Sequence, residues 1–393
     1  MATAPVLPGS DFQAPRLDGW VDGLHMLPVT HAQDPRLHAS WKGLVHRAIE
    51  PNPFFEPWFL KASISHLAPN EPIEFAAYVS DCQLRGLLPI ARSSSYYGNP
   101  IPQCSTWLHE NAFCGVPLIE AGHEQDFWRA LFYALDDDPR QSLFMHIPGL
   151  PADGPVAQAM RAVCAAQSRE EGIVDREVRA FLSSDCDALE YVEQSLSSKK
   201  RKELRRQHKR LSEEGKLSFE RLDGSKGLAD WTDEFLSLER AGWKGAEGSA
   251  LACAPETRGL FVEALIEAAR AGRLELLALR LDGSPIAMLA NFITTPGAYS
   301  FKTTFDERFA KFSPGLLLQL ENLALLDRPD IVWADSCAVE GHSMIERLWR
   351  EKRTMVATNI AIGGGVRRTM FKQLLRRETK SLARRSASAK ARS

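Results

Sequence analysis

Residues 274–305, LELLALRLDGSPIAMLANFITTPGAYSFKTTF, decide the reading of the fold. Leu274 to Leu281 and Ile286 to Ile293 are two apolar runs joined through Asp282-Gly283, a dipeptide that accepts positive φ at both turn positions, so the stretch predicts a β-hairpin. Ala298 to Phe305 continues the antiparallel region as a third strand. A helix is expected from Pro314 to Leu326, then a strand over 331–334, a short helix over 344–350 and a strand over 354–362. Upstream, 188–214 reads as one long helix stopped by Gly215, followed by a strand over 217–222 and helices over 228–242 and 255–271.

The N-terminal half has the same order of elements. A strand at 24–29 precedes helices at 35–49 and 58–67, which flank the sequence PNPFFEP; strands at 74–80 and 84–91 follow, with further strand up to Ile119. Then come a helix at 124–135, a strand at 142–147, a helix at 155–167 and a strand at 174–182. Laying 74–89 over 275–290 without gaps pairs Glu74 with Glu275, Ala77 with Ala278, Asp81 with Asp282 and Leu88 with Leu289. The expectation is an α/β (mixed α+β) protein of two tandem, duplicated units, each a mixed, largely antiparallel sheet flanked by helices. Its bounds are a mobile N-terminal arm at 1–24, a first unit at 25–182, a second at 183–365, and a basic C-terminal helix and tail at 366–393.

At 393 residues, 44% hydrophobic and 25% charged, the chain has the composition of a globular protein large enough for two cores, which excludes disordered, collagen-like and coiled-coil classes. The most apolar segment, 315–326, is interrupted by Gln319, Glu321 and Asn322, so no bilayer span is expected. No secretory signal is read at the N-terminus. Seven scattered cysteines without a CxxC spacing argue for reduced thiols, a cytoplasmic location and no metal site. The net charge of −2 is unevenly placed: 199–210 carries +7 and 366–393 carries +9, leaving −18 on the remainder. An acidic body thus displays two basic elements. A protein given over to binding RNA would more naturally be basic throughout, which weighs against a non-enzymatic nucleic-acid or partner-binding protein, the reading from a different class. On a helical wheel, at roughly 100° per residue, Lys200 and Gln207 fall inside the apolar stripe of Leu204 and Leu211. Lys200 therefore either snorkels or points into a cleft to meet a phosphate or carboxylate.

Five stretches carry a family resemblance: SSKKRKELRRQHKRLSEEGKLSF (197–219), AGWKGAEGSAL (241–251), LRLDGSPIAMLANF (279–292), YSFKTTFDERFAKFSPGLLL (299–318) and DSCAVEGHSMIERLW (335–349). In this series the second half resembles GNAT-type acyltransferases of the CelD-like, cellulose-biosynthesis-associated group, and more distantly the Fem-type aminoacyl transferases built from two GNAT units. The resemblance implies transfer of an acyl group, acetyl above all, from acetyl-CoA or another acyl-CoA co-substrate to a small-molecule or glycan-precursor amine such as an amino sugar or an exopolysaccharide or cell-envelope precursor. The alternative it implies is a Fem-like aminoacyl-tRNA donor, the one case in which nucleic acid is expected as a partner.

The resemblance makes 299–305 the splayed strand whose free backbone N–H groups meet the donor, with Phe301, Lys302 and Thr303 at the contact. Ser313-Pro314-Gly315-Leu316 has the form of a helix N-terminus for a diphosphate, Ser as N-cap, Pro at N1 and Gly without a side chain. The glycine-rich loop usual in the family is reduced there to one glycine, which keeps the tRNA donor open. Candidates for the base are Asp335, which ends the apolar strand IVWA where α/β proteins place ligands, then Asp306 and Glu307. Tyr299 is a candidate to protonate the leaving thiolate. Substrate contacts are expected from Lys200, Trp243, Lys244, His342 and Trp349, although Ser343 and Glu346 read as a capping box that simply starts a helix and a tryptophan such as Trp349 is more often core than substrate wall. The basic tail from about Arg376 is expected to stay unordered, dispensable for chemistry, and available to an anionic partner.

Overall fold

The computed structural model describes residues 16–390, with the side chains of Asp223 and of 385–390 outside the description. The first half contributes strands β1 (Gly23–Pro28), β2 (Glu74–Ser80), β3 (Gln83–Ser93), β4 (Gln103–Thr106), β5 (Leu118–Ile119), β6 (Phe144–Pro151) and β7 (Glu171–Leu182). The second contributes β8 (Leu217–Asp223), β9 (Leu274–Leu281), β10 (Ser284–Thr294), β11 (Gly297–Phe305), β12 (Trp333–Asp335) and β13 (Glu351–Ala361). Helices α1 (Pro35–Val45), α2 (Pro57–Leu67), α3 (Glu124–Asp136) and α4 (Pro155–Ala166) belong to the first half. Between the halves and in the second lie α5 (Ala188–Ser195), α6 (Ser198–Glu214), α7 (Leu228–Ala241), α8 (Trp243–Ala246), α9 (Pro255–Arg270), α10 (Pro314–Asn322) and α11 (Gly365–Lys390).

The expected hairpins β2–β3 and β9–β10 form in matching register. Glu74 faces Ile90 and Glu275 faces Asn291; each hairpin also carries a bulge on its returning strand, at Arg85 and at Ile286, which the ungapped overlay places opposite each other. Asp81-Cys82 and Asp282-Gly283 turn the two chains with positive φ at both positions. β9 and β10 are apolar on both faces because both faces are covered. Leu276, Ala278 and Phe292 pack in the core under α7 and α9, whereas Leu277, Leu279 and Leu289 pack in a second core with Leu204 and Leu211 of α6 and Leu318 of α10.

The two units do not close on separate sheets. One 13-stranded sheet runs β1-β2-β3-β4-β6-β13-β7-β12-β11-β10-β9-β8, with β5 on β3. The order is symmetric about the β13–β7 pair, and the two last strands are exchanged: β13 of the second half lies against β6 of the first, and β7 of the first lies against β12 of the second. The boundary at 182/183 is therefore a boundary in sequence that the sheet crosses. PNPFFEP plugs the junction, the Phe54 ring meeting Phe113, Phe292, Tyr299 and Phe301, and the buried Glu56 accepting from Thr294 Oγ1 at 2.7 Å.

Other boundaries shift for local reasons. The long helix 188–214 is two, because Ser197 takes an extended conformation and its hydroxyl caps Lys200 N–H as the N-cap of α6. The short helix expected over 344–350 is a single 3-10 turn, Ile345–Arg347, and Glu346 accepts from Gly341 N–H rather than closing a box on Ser343. Residues 1–15 of the expected arm lie outside the described residues, but Leu17 is buried and donates its N–H to Cys82 O, and β1 begins at Gly23. The tail expected to lack order from Arg376 is helical through Lys390: Phe371 and Leu375 bury against Phe144 and Val174, and Glu378 accepts from Asn359. Among the described residues no helix is long and apolar enough to cross a membrane.

Candidate active site

β11 pairs with β12 only from Gly297↔Trp333 to Tyr299↔Asp335, while on its other side it stays paired with β10 as far as Phe305↔Ala287. The strands diverge after Tyr299, leaving one edge of 300–305 without a strand partner, and α10 starts in the same gap. A cleft of about 380 Å³ opens there, walled by Thr303 to Phe305, the start of α10, Lys200, the Gly242–Lys244 segment and His342 to Met344. The pairing of β10 with β11 slips between Ala290↔Lys302 and Asn291↔Ser300, a bulge that adds Phe301. Phe301 and Lys302 consequently both turn toward the first unit, Phe301 onto Phe59 at 5.8 Å and Phe113 at 6.1 Å between ring centroids and Lys302 Nζ onto the ring of Phe113 at 5.0 Å.

The donor-facing wall is built by α10. Ser313 is left-handed (φ 54°, ψ 52°) and its hydroxyl makes no capping bond, so the expected side-chain cap is absent; its carbonyl instead accepts from both Leu316 and Leu317 N–H. Pro314 has no N–H, which leaves the Gly315 N–H as the donor at this helix start. A Cβ on Gly315 would stand 2.7 Å from Met344 Sδ and 3.6 Å from a ring carbon of Phe305. Gly315→Val should therefore fill the cleft, weakening the binding of a ligand seated at this helix start at least about tenfold with a nearly unchanged melting temperature. Calorimetry with the folded variant checks this; lost stability with normal binding would make the glycine purely structural. Lys200 and Arg347 line the same wall, and among the described residues neither side chain has an ion-pair or hydrogen-bond partner. His342 lies beside them with a buried, unpartnered Nδ1. A phosphorylated donor fits this set: a close backbone approach at Gly315, two unneutralised cations and an orphan ring nitrogen.

Across β11 the first unit packs against Lys302, outside the lining of the cleft. Lys302 Nζ donates to Asn111 Oδ1 at 2.8 Å, and burial, reinforced by Lys244, pulls its ammonium down to about 8. Beside it, burial and the Lys302 charge hold His109 down to about 4. His109 Nδ1 accepts from Asn111 N–H, so the neutral ring carries its proton on Nε2, which is buried without a partner. Because the unfolded chain protonates such a histidine near pH 6.5 and the folded one only near 4, stability should fall as pH drops from 6.5 to 4, by about 3 kcal/mol from His109 alone. His109→Phe should flatten that part of the stability–pH curve measured by denaturant unfolding.

Glu239 was not singled out from sequence. It is 2% exposed, lines the cleft, and accepts from Lys244 Nζ at 2.7 Å and Leu251 N–H at 2.8 Å. The available signal was its place in the apolar stripe of α7 with Leu228, Trp231, Thr232, Phe235 and Leu236, the same signal that marked Lys200. Trp243 is 52% exposed at the mouth, its N–H bonded to Glu307.

Four candidates are corrected. Asp335 is fully buried and saturated: Arg179 meets both its oxygens at 2.8 Å, Arg353 donates at 3.2 Å, and Cys337 N–H at 3.0 Å. It has no room to accept a proton from a substrate. Asp306 caps the turn after β11 and holds its own neighbour Arg308, which draws its carboxyl below the usual range. Tyr299 is buried, donates to Pro51 O at 3.0 Å, and is raised well above the usual phenol range by burial, so it does not reach a leaving group. Trp349 is fully buried in the second core. Glu307 does line the cleft, with one oxygen accepting from the Trp243 backbone N–H at 2.7 Å.

The pseudo-equivalent gap in the first half lies between β4 and β6, which pair only at Cys104↔Met145 and Ser105↔His146. The helix at the corresponding place in the chain, α3, carries Glu124 and Asp126 in its first turn, so an anion at its N-terminus would meet two carboxylates.

Residues 198–326 match the family described as "Acetyltransferase (GNAT) domain". The match includes α6, α7, β11 and α10 and ends before β12. No curated protein matches the chain. Among solved structures, the one described as FemX superimposes with a TM-score of 0.55 at 10% identity, covering 86% of this chain and 98% of that one. A conserved protein of unknown function from Bacteroides thetaiotaomicron gives 0.50 at 11% identity over 88% and 100% of the two chains. At these identities the likeness is one of fold, and it extends over both units.

Proposed function

With a GNAT acetyltransferase domain over 198–326 as the premise, we propose that the protein is an N-acyltransferase that takes its acyl group from a coenzyme A thioester. The observation that carries this is the convergence, in one cleft, of the unpaired edge of β11, the Gly315 start of α10 and the unneutralised Lys200 and Arg347. The thioester supplies an activated acyl carbon and a thiolate leaving group. The β11 edge holds the extended donor by backbone hydrogen bonds, and the α10 wall takes the diphosphate. Lys302, at the bulge, places a positive charge where negative charge grows on the acyl oxygen as the C–N bond forms and the C–S bond breaks. Glu239 takes the proton released by the acceptor nitrogen, with Lys244 holding its orientation. The first unit, through Asn111, His109 and Phe113, walls the acceptor side.

The acceptor in this reading is an amine, and an amino sugar or other glycan precursor rests on the resemblance of the motif series to the CelD-like group. One observation favours a second reading, an aminoacyl-tRNA donor: the start of α10 offers a single free N–H, fewer than a diphosphate ordinarily meets at a helix N-terminus. Calorimetric titration with acetyl-CoA, longer acyl-CoAs and aminoacyl-tRNA separates the two. Heat with acyl-CoA that Gly315→Val abolishes supports the first; binding of aminoacyl-tRNA alone replaces it with the second.

A further inference from the structure

On the side of α6 away from the donor cleft lies a groove of about 440 Å³ that the acyl-transfer reading does not use. Its floor is apolar, formed by Leu196, Leu204, Leu279 and Leu317, all buried, with Leu217 and Leu320 half-buried. Two apolar side chains protrude at its lips, Leu189 at the start of α5, 81% exposed, and Phe219 on β8, the last strand of the sheet, 36% exposed, beside the exposed acids Glu193 and Glu321. Along one wall α6 sets Arg201, Arg205 and His208 at positions i, i+4 and i+7, a single stripe.

The rest of α6 is unusual in what it leaves unneutralised. The helix buries only Leu204 and Leu211, and Lys199, Lys202, Arg205, Arg206, Lys209 and Arg210 are exposed. Among the described residues the one ion pair these cations make to an acid is Arg206–Glu203; Arg201 spends its guanidinium on the carbonyls of Glu193 and Leu196. A body carrying −18 outside its two basic elements has acids enough to cover this ridge, yet it does not fold them against it. The ridge keeps its field for a partner outside the chain.

From this face we propose that α5, α6 and β8 form a docking surface for an anionic lipid bilayer, the α6 cations meeting headgroups and Leu189 and Phe219 entering the interface. A polyanion such as RNA would use the cation ridge but has no use for a leucine-floored groove with protruding apolar lips, whereas a bilayer presents anionic charge and an apolar interior side by side. The surface is independent of the chemistry in the donor cleft. Because Lys200 of the same helix lines that cleft, docking would set its mouth next to the bilayer, where a membrane-borne acceptor could be reached.

The test uses the full chain in sedimentation with vesicles of phosphatidylcholine alone and of equal parts phosphatidylcholine and phosphatidylglycerol. Binding is expected to the anionic vesicles only, and to weaken with salt. Lys202→Ala/Arg205→Ala/Arg206→Ala and, separately, Leu189→Ser/Phe219→Ser should each weaken it at least about tenfold; the substituted side chains are exposed, and circular dichroism and melting confirm the fold. Equal binding to both vesicles, or none, overturns the proposal. So does undiminished binding by the triple variant, which would assign the affinity to the basic α11. Retention of full vesicle binding by the apolar double variant, together with tighter binding of a short RNA, would make the ridge a nucleic-acid surface instead.

Discussion

Lys302→Met is expected to lower turnover by about 10²- to 10³-fold at saturating donor, with the melting temperature at pH 7 unchanged or raised. The size follows from removing a charge fixed in a water-poor site at the point where β11 bulges and parts from β12, the place that the proposed reaction gives to the acyl carbonyl. The sign of the stability effect follows from the ammonium being pulled down to about 8 by burial and Lys244. An unfolded chain holds that proton up to about pH 10.4, so the folded state is penalised below pH 8 and the penalty fades between 8 and 10.4. Methionine keeps an apolar stem and removes the buried charge that sits 5.0 Å from the Phe113 ring centre. Wild-type turnover should fall above a midpoint near pH 8; that limb should be missing in Lys302→Met and move upward in Lys302→Arg, whose guanidinium stays charged. Full turnover by the methionine variant would remove Lys302 from the chemistry and leave it as a packing residue that donates to Asn111.

The parts of this molecule that a sequence displays are those whose cause is local. The hairpin at 274–294 is visible because the Asp-Gly turn and the flanking apolar runs are adjacent, and its twin at 74–93 because a fixed offset preserves even the bulge, Arg85 against Ile286. Lys200 is visible because a charge on an apolar helical stripe is conspicuous from its neighbours alone, and Glu239 offered the same clue. The exchange of β7 and β13 has no local cause. TMVATNIA reads as a buried strand whichever neighbour it takes, and only the sheet shows that it lies between β6 and β7 rather than beside β12. Asp335 failed for the same reason. The rule that a strand end faces a ligand brought it to the edge of the cleft, but its occupants, Arg179 and Arg353, come from the two exchanged strands, 156 and 18 residues away. Asn111 and His109, which surround the Lys302 ammonium, come from the first unit, about 190 residues away in sequence.

Asp335→Asn should consequently act on the fold. Arg179 on β7, Asp335 on β12 and Arg353 on β13 meet at the place where the exchanged strands cross, and the two guanidinium groups are held against one buried carboxylate. Arg353 is further stacked over Trp333 at 4.8 Å and Phe181 at 5.1 Å and lies 3.9 Å from Glu50, contacts that hold it in place once Asp335 is neutral. Taking away the carboxylate charge leaves two buried cations beside each other, a change that costs about 3–5 kcal/mol in comparable buried pairs. Denaturant unfolding should show this loss, while turnover per folded molecule and its pH profile stay close to wild type. A second variant separates a lock from a base: Arg179→Met/Asp335→Leu/Arg353→Met replaces these three charges by apolar groups and should recover part of the stability, since the desolvation cost of the ions disappears together with their attraction while Glu50 loses its partner Arg353. If Asp335→Asn instead folds with normal stability and loses turnover by about 10² or more with an altered pH profile, the carboxylate is the base after all, and Glu239 gives up that role.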